Sequence, residues 1–262
     1  MNAAAKTGGG AATPQTGGAG NAGLVHPPSI FQAIQSLLYI IVVALFIITF
    51  TMQPFRIPSE SMEPTLLVGD FLLVNKEISP DRHFSVFAPT SEIERGDLVV
   101  FYYPVQPLLH LVKRVVGLPG DRVHLRGGHV FVNCRALAEP YAVFRPSPAN
   151  SFRDNFPFMA TASAGVDSRW WIQMRSAVSN GELVVPPDSY FVLGDNRNDS
   201  EDSRYWGFVP RSAIVGKPFL IYFSLNKLDE RAGEGVASGA HKAALGPLAD
   251  IARWDRALRV IH

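Results

Sequence analysis

Polar and apolar positions divide this chain into three parts. Residues 1–29 show no apolar period. Gly, Ala, Thr and Pro dominate there, in runs such as Gly8-Gly9-Gly10 and Gly17-Gly18-Ala19-Gly20. Nothing in such a stretch offsets the entropy of ordering it, so a disordered tail is expected. From Ile30 to Met52 there is no Asp, Glu, Lys or Arg, and Leu37 to Phe50 reads LLYIIVVALFIITF. A helix that crosses the hydrocarbon core of a bilayer needs about 20 mostly apolar residues. A buried helix of a soluble domain is usually shorter and striped. A secretory signal carries a short basic leader and a small-residue cleavage site. Here Lys6 is the only Lys or Arg upstream, and Thr51-Met52-Gln53-Pro54-Phe55 follows the run. The pattern therefore predicts one uncleaved transmembrane anchor over 30–52. Lys6 and Arg56 flank it almost symmetrically, so charge does not set its orientation.

Beyond the anchor the apolar segments become short. Phe71-Leu72-Leu73-Val74, Leu98-Val99-Val100-Phe101, Leu109 to Val116, Val130-Phe131-Val132 and Tyr190-Phe191-Val192-Leu193 have the size and composition of strands. Gly96-Asp97, Pro119-Gly120-Asp121, Gly127-Gly128 and Gly194-Asp195-Asn196 separate them as turns. This predicts a mainly β body over 53–262. The stretch Glu139 to Ser179, rich in Pro, Ser and Ala, reads as a less regular insertion or a smaller β subdomain, at roughly 134–185. Residues 232–246 read as a Gly/Ala-rich loop. The closing stretch Arg253 to Ile261 reads as structural, with Trp254 and its arginines near the membrane.

Composition removes several function classes. With 24 Lys+Arg against 23 Asp+Glu, the chain lacks the basic excess that wraps nucleic acid. One cysteine excludes an internal disulfide framework and any multi-Cys metal site. No metal and no cofactor are expected. The 17 Phe, 7 Tyr and 4 Trp give the body ample core material.

Three segments carry candidate chemistry. In Pro58-Ser59-Glu60-Ser61-Met62-Glu63-Pro64, two prolines bracket a Ser-x-Ser and hold the backbone out of helix. A serine so placed is either a presented nucleophile or part of a linker turn. A nucleophilic serine needs a base. No Gly-x-Ser-x-Gly elbow is present, but a neutral lysine can serve. In Leu109-His110-Leu111-Val112-Lys113-Arg114-Val115, strand alternation puts Lys113 on one face with Leu109, Leu111 and Val115. That setting lowers an ammonium pKa; the alternative is an edge lysine whose head reaches water. The third segment, Gly194 to Gly207, is a dense polar loop in which Asp202 and Arg204 suit a hydrogen-bonded turn. Its acidic spacing does not match a Ca²⁺ loop.

PSESMEPTL, RGDLVVF, LVKRVVGLPGD and GDNRNDSEDSRYWGFVP follow one another in this order after an apolar anchor. In that arrangement the chain resembles the type I signal peptidase family over about Phe55 to Val215. The resemblance implies a catalytic domain of coiled antiparallel β-sheet with a smaller β extension, preceded by one transmembrane helix. It also implies a Ser–Lys dyad that removes signal peptides from exported preproteins after Ala-x-Ala. Ser61 matches the nucleophile and Lys113 the general base. Ser59 matches a hydroxyl that joins the Ser61 N–H in an oxyanion hole. Ser200 matches a serine that orients the lysine, and Asp202 and Arg204 match a supporting charged pair. Ile57, Leu66, Val100 and Val112 fall where the family lines shallow pockets for small side chains. The implied setting is a bacterial cytoplasmic membrane, with the body on the far side. The implied partners are preprotein signal peptides and lipid, and the working form is a monomer.

The chain departs from the family pattern at Glu60, where a small or polar residue is usual, and at Asn198-Asp199, which reverses the usual order. Cys134 has no partner for the disulfide some relatives carry. A non-catalytic, membrane-anchored β module is the competing reading. Ser224-Leu225-Asn226-Lys227 fits a penicillin-binding Ser-x-x-Lys, but no Lys-Thr-Gly or Ser-Asp-Asn accompanies it. A self-cleaving regulator would need a DNA-binding domain that residues 1–29 cannot form.

Overall fold

A computed structural model describes residues 30–76, 92–158, 165–226 and 252–261; within its first helix the side chains of 44 and 47–51 fall outside that description. The expectations for 1–29 and for the loop at 232–246 lie outside the described residues, as does Lys227. The chain divides into two units, 1–44 and 45–262. The charge-free run forms a 22-residue helix, α1 (Ile30–Thr51). Its described apolar side chains are exposed, Phe31 at 75% and Leu38 at 61%. Unbroken description of its side chains ends at Val43. Among the described residues, no helix is long and apolar enough to cross a membrane.

The second unit is mainly β. Its strands, in chain order, are β1 (Met52–Arg56), β2 (Asp70–Asn75), β3 (Leu98–Tyr102), β4 (His110–Gly117), β5 (Arg122–Arg126), β6 (His129–Val132) and β7 (Arg135–Ala136). These are followed by β8 (Val178–Ser179), β9 (Glu182–Val184), β10 (Ser189–Leu193), β11 (Val209–Pro210), β12 (Ile214–Ser224) and β13 (Arg259–Val260). All their pairings are antiparallel. The larger sheet runs β1-β2-β12-β3-β4-β10-β11, with β13 added to β12. The smaller runs β7-β6-β5-β9-β8.

Alternation explains the large sheet. Asp70, Leu72 and Val74 of β2 are buried while their neighbours are half-covered. In β4, Leu111 and Val115 face a cluster with Val99, Phe101 and Val192. Val112 turns to the other face, against Val74 and Val100. The register sets Val99 opposite Lys113 and Val100 opposite Val112, so β3 presents the wall beside the lysine.

The smaller sheet begins at Arg122, upstream of residue 134, because Val123, Leu125, Val130 and Val132 share an apolar face with Leu183. Helices close that face. Asn150 caps α2 (Ser151–Asp154), and Asp167 caps α3 (Ser168–Ala177) by accepting from the amides of Arg169 and Trp170. A helix thus stands inside the stretch whose composition reads as irregular. Trp170 and Met174, one turn apart, bury against the sheet and make it hold.

Arg253 and Arg256 turn inward, not toward a surface, while Arg259 is exposed. Asp70, fully buried, accepts from Arg256 Nη2 at 2.6 Å and from Ser224 Oγ at 2.6 Å. Arg253 donates to the Val68 carbonyl at 2.6 Å, and Arg256 to the Thr65 carbonyl at 3.0 Å. A buried carboxylate draws its partners in, which takes Arg253 and Arg256 away from the surface expected for the arginines of this segment. Trp254 stays out, 62% exposed and edge-on to Phe223, as do Leu258 and Val260 further along.

Candidate active site

β1 leaves the sheet at Arg56, and the chain returns as β2 at Asp70. The Ile57 N–H donates to the Asp70 carbonyl at 2.9 Å and the Gly69 N–H to the Ile57 carbonyl at 3.0 Å, closing this loop at its base. Within it Glu60–Met62 make one 3-10 turn after an extended Ser59. Met62 is the peg: it is buried with Ile57, Leu66 and Leu72. Ser61 is thereby fixed at the rim, 8% exposed. Its N–H lies in the first turn, where amides have no intrahelical acceptor.

Lys113 reaches Ser61 across the gap, Nζ to Oγ at 2.5 Å. The lysine is 3% exposed. Burial pulls its pKa from 10.5 down to about 8, against Asp202, which pushes it up, and with Arg204, which adds to the fall. A lysine that titrates there is a usable base near neutral pH. Accordingly kcat/KM is expected to rise with pH through about 8 and level off above it, because only the neutral amine accepts the serine proton. A profile flat from about pH 6 to about 9 would show that Lys113 is not the base.

Ser59 Oγ lies 3.3 Å from Ser61 Oγ, either hydroxyl being able to donate. Asp202 and Arg204 meet as a fully buried bidentate pair, Nε and Nη2 each 2.8 Å from the carboxylate. Burial raises the Asp202 pKa, but the charge and hydrogen bonds of Arg204 outweigh it and hold the carboxyl below its ordinary value. Asp202 also caps α4 (Ser203–Trp206) and accepts the Gly194 N–H at 3.1 Å. Gly194 is required here: a Cβ would lie 2.2 Å from Ser200 Oγ and 2.5 Å from the Ser61 carbonyl oxygen. Ser200 lines the same cleft, yet its buried Oγ has no hydrogen-bond partner, so no bond to Lys113 is formed.

Two recesses flank the dyad. A cleft of about 700 Å³ is lined by Ser59, Lys113, Ser200, Tyr103 and Trp206 among others. A narrow recess of about 40 Å³ is lined by Ile57, Val100, Val112, Phe55 and His110, and shares Ser61 and Lys113 with the cleft. Leu66 does not line it; that side chain is fully buried beneath Met62.

Several functional partners escape the sequence. Arg114 holds the fully buried Asp195 through Nε at 2.8 Å and Nη2 at 2.7 Å, and Thr65 Oγ1 donates to the same carboxylate at 2.5 Å. The Asn196 N–H donates to the Ser61 carbonyl at 3.1 Å. Together these tie lysine strand, nucleophile turn and polar loop into one piece. Adjacent Lys113-Arg114 and the Asp195 of the turn were the available signals, but opposite charges far apart in sequence do not name their partners. Glu60 is drawn outward by Arg145 at 3.3 Å, and Arg145 also pairs with Glu63. Asn198 Nδ2 donates to the Arg145 carbonyl at 2.7 Å. Glu60 and Asn198 are thus both tied to Arg145, and with Asp199 they line the cleft that Lys113 also lines.

A family model described as signal peptidase, peptidase S26, matches residues 30–223. Signal peptidase I of Pseudomonas fluorescens is 35% identical over 211 residues, covering 75% of this chain and 74% of its own. Signal peptidase I of Aquifex aeolicus is 34% identical over 224 residues, covering 74% and 84%. A solved signal peptidase I from Enterococcus faecalis aligns at 29% identity with a TM-score of 0.35, covering 48% of this chain and 97% of its own.

Proposed function

This chain belongs to the peptidase S26 signal peptidase family, and from that premise we propose that it is a membrane-anchored endopeptidase that removes signal peptides after small-x-small junctions with a Ser61–Lys113 dyad. The observation that carries the reading is the 2.5 Å contact between Lys113 Nζ and Ser61 Oγ at a buried site.

The chemistry follows from the geometry. Neutral Lys113 takes the Ser61 proton as Oγ attacks the scissile carbonyl. The developing oxyanion is met by the Ser61 N–H and the Ser59 hydroxyl, donors of a kind whose loss typically costs about 3 kcal/mol each. Protonated Lys113 returns its proton to the leaving amine, then activates the water that releases the acyl group. Ser200, whose buried Oγ is unpartnered and which lines the same cleft, is the hydroxyl assigned to holding the lysine once it has turned toward the leaving group. Ile57, Val100 and Val112 narrow the recess beside Ser61 to the size of a methyl or a little more. That favours Ala and excludes larger side chains.

Helix α1 supports the anchor. None of its 22 residues is Asp, Glu, Lys or Arg, the composition an anchor needs. Ser61 follows ten residues after its end in the chain, so the anchor confines the dyad to the neighbourhood of the membrane where signal peptides reside. The body faces the extracytoplasmic side of a bacterial cytoplasmic membrane and works as a monomer. Digestion of the body by protease added to the cytoplasmic side would refute that orientation.

The test is cleavage of an Ala-x-Ala precursor by the detergent-solubilised full chain, with the product N-terminus sequenced. Cutting after the second Ala is expected, and Phe at that position should slow it by about 100-fold or more. A folded protein that leaves both precursors intact would overturn the proteolytic reading in favour of a binding module.

A further inference from the structure

The cleft and the narrow recess meet at the dyad but differ in their walls. Ser61 and Lys113 line both, whereas Ser200, with its unpartnered Oγ, lines the cleft and not the recess. In the proposed mechanism the recess takes the small residue on the acyl side of the scissile bond. The leaving amine takes its proton from Lys113, which Ser200 then holds. The amine therefore departs on the Ser200 side, and the segment that follows the cut lies in the cleft. At about 700 Å³ the cleft has the size of a ligand pocket.

Charge on the walls of this cleft is one-sided. Glu60, Asp199 and Glu201 line it, and Lys113 is the one cation that does so among the described residues. In the attacking state Lys113 is neutral, so the charge of the lining is then all negative. Arg145 offsets part of it from outside, 3.3 Å from Glu60, but it also pairs with Glu63. Asp199 and Glu201 are exposed, and among the described residues neither makes an ion pair. Leu109, Leu111 and Trp206 supply apolar wall beside them. A cleft with charges of one sign and low-dielectric walls focuses its field on whatever enters it.

We propose that Glu60, Asp199 and Glu201 are specificity-determining residues that read the charge of the segment after the cut, so that precursors with Lys or Arg at its start are cleaved in preference to those with Asp or Glu. This rests on the proteolytic reading above. A substrate cation in the cleft meets the exposed carboxylates of Asp199 and Glu201. A substrate carboxylate meets like charge. The groups stay in contact with water, so the effect is moderate and screened by salt. It is separate from the demand for a small residue, which the recess makes.

The experiment measures kcat/KM of the full chain, solubilised in non-ionic detergent, for three precursors with the same Ala-x-Ala junction. They carry Lys, Gln or Glu at both the second and the third residue after the cut. Adjacent side chains of an extended segment point to opposite sides, so one of each pair faces the carboxylates. At low salt the wild type is expected to favour the Lys precursor over the Glu precursor by about fivefold to 20-fold, with Gln between them. Screening at about 1 M salt should bring that ratio to about two or less. Asp199→Asn combined with Glu201→Gln should narrow the low-salt ratio to about threefold or less, each enzyme being referred to its own rate on the Gln precursor. A wild-type ratio of one or less overturns the proposal. So does a preference for Lys that is undiminished in the double variant. Cleavage of none of the three by wild type would instead overturn the proteolytic reading, and this inference with it.

Discussion

Lys113→Met is expected to lose turnover by about 10⁴-fold or more while unfolding at a higher temperature than wild type near pH 7. Methionine keeps the unbranched shape of the lysine stem between Leu111 and Val115 but has no proton to move. Ser61 Oγ then loses the base 2.5 Å away. Ser61→Ala should fall as far, and the double variant no further, if serine and lysine act as one unit as in the proposed dyad. The stability gain comes from the same burial that makes the base. Unfolded, Lys113 holds its proton up to about 10.5; folded, it releases it at about 8. Between those values the unfolded state binds more protons, so wild-type stability rises with pH, and below about 8 the full cost of burying this amine is carried. The advantage of Lys113→Met in thermal unfolding should therefore be largest at and below neutrality and shrink from about pH 8 to about 10.5. A variant that keeps turnover would remove Lys113 from the mechanism. A variant with no gain in melting temperature at neutral pH would show that the lysine is not desolvated as its burial requires.

The strands that carry the dyad were legible because short apolar runs between turn residues have one reading: β2, β3, β4, β6 and β10 lie where the pattern puts them. The alternation that sets Lys113 beside Leu111 and Val115 was legible for the same reason. What local pattern does not encode is which distant charges meet. Arg114 and Asp195 are 81 residues apart in the chain, and Arg197 and Glu139 are 58 apart. Each ion pair follows from the way the polar loop folds back over the nucleophile turn. α3 was hidden by the opposite effect. A Ser-, Ala- and Arg-containing stretch with two tryptophans has no clean stripe, and the helix depends on its Asp167 cap and on burial of Trp170 and Met174. Leu66 illustrates a limit of carrying over a pocket residue by sequence. It sits five positions past Ser61, but its side chain is fully buried in the cluster with Met62, and the recess is walled by Ile57, Met62, Val100 and Val112 without it.

Asp202→Asn should destabilise the body by about 3–5 kcal/mol and shift the activity profile toward acid, two effects with one origin. Asp202 and Arg204 are both fully buried, and the carboxylate accepts both guanidinium bonds, the Arg204 N–H at the start of α4 and the Gly194 N–H. An amide keeps the shape but cannot accept from both nitrogens of the fork, and it leaves a buried cation without its counter-charge. In a body of about 200 residues the loss corresponds to roughly 6–20 °C of melting temperature. The direction of the pH effect follows from the charges around Lys113. Desolvation lowers its pKa most; Asp202 is the largest opposing influence, Arg204 lowers it further, and Asp195 and Glu201 push it up by less. Removing the Asp202 charge deletes the main upward push and leaves Arg204 unopposed. Lys113 is then neutral at lower pH, and the rising limb of kcat/KM moves below about 8. The profile is to be measured below the variant's own unfolding transition, so that lost fold is not read as lost base. An alkaline shift, or none, would mean that the buried pair only supports the loop and that its field does not set the working pH of the lysine.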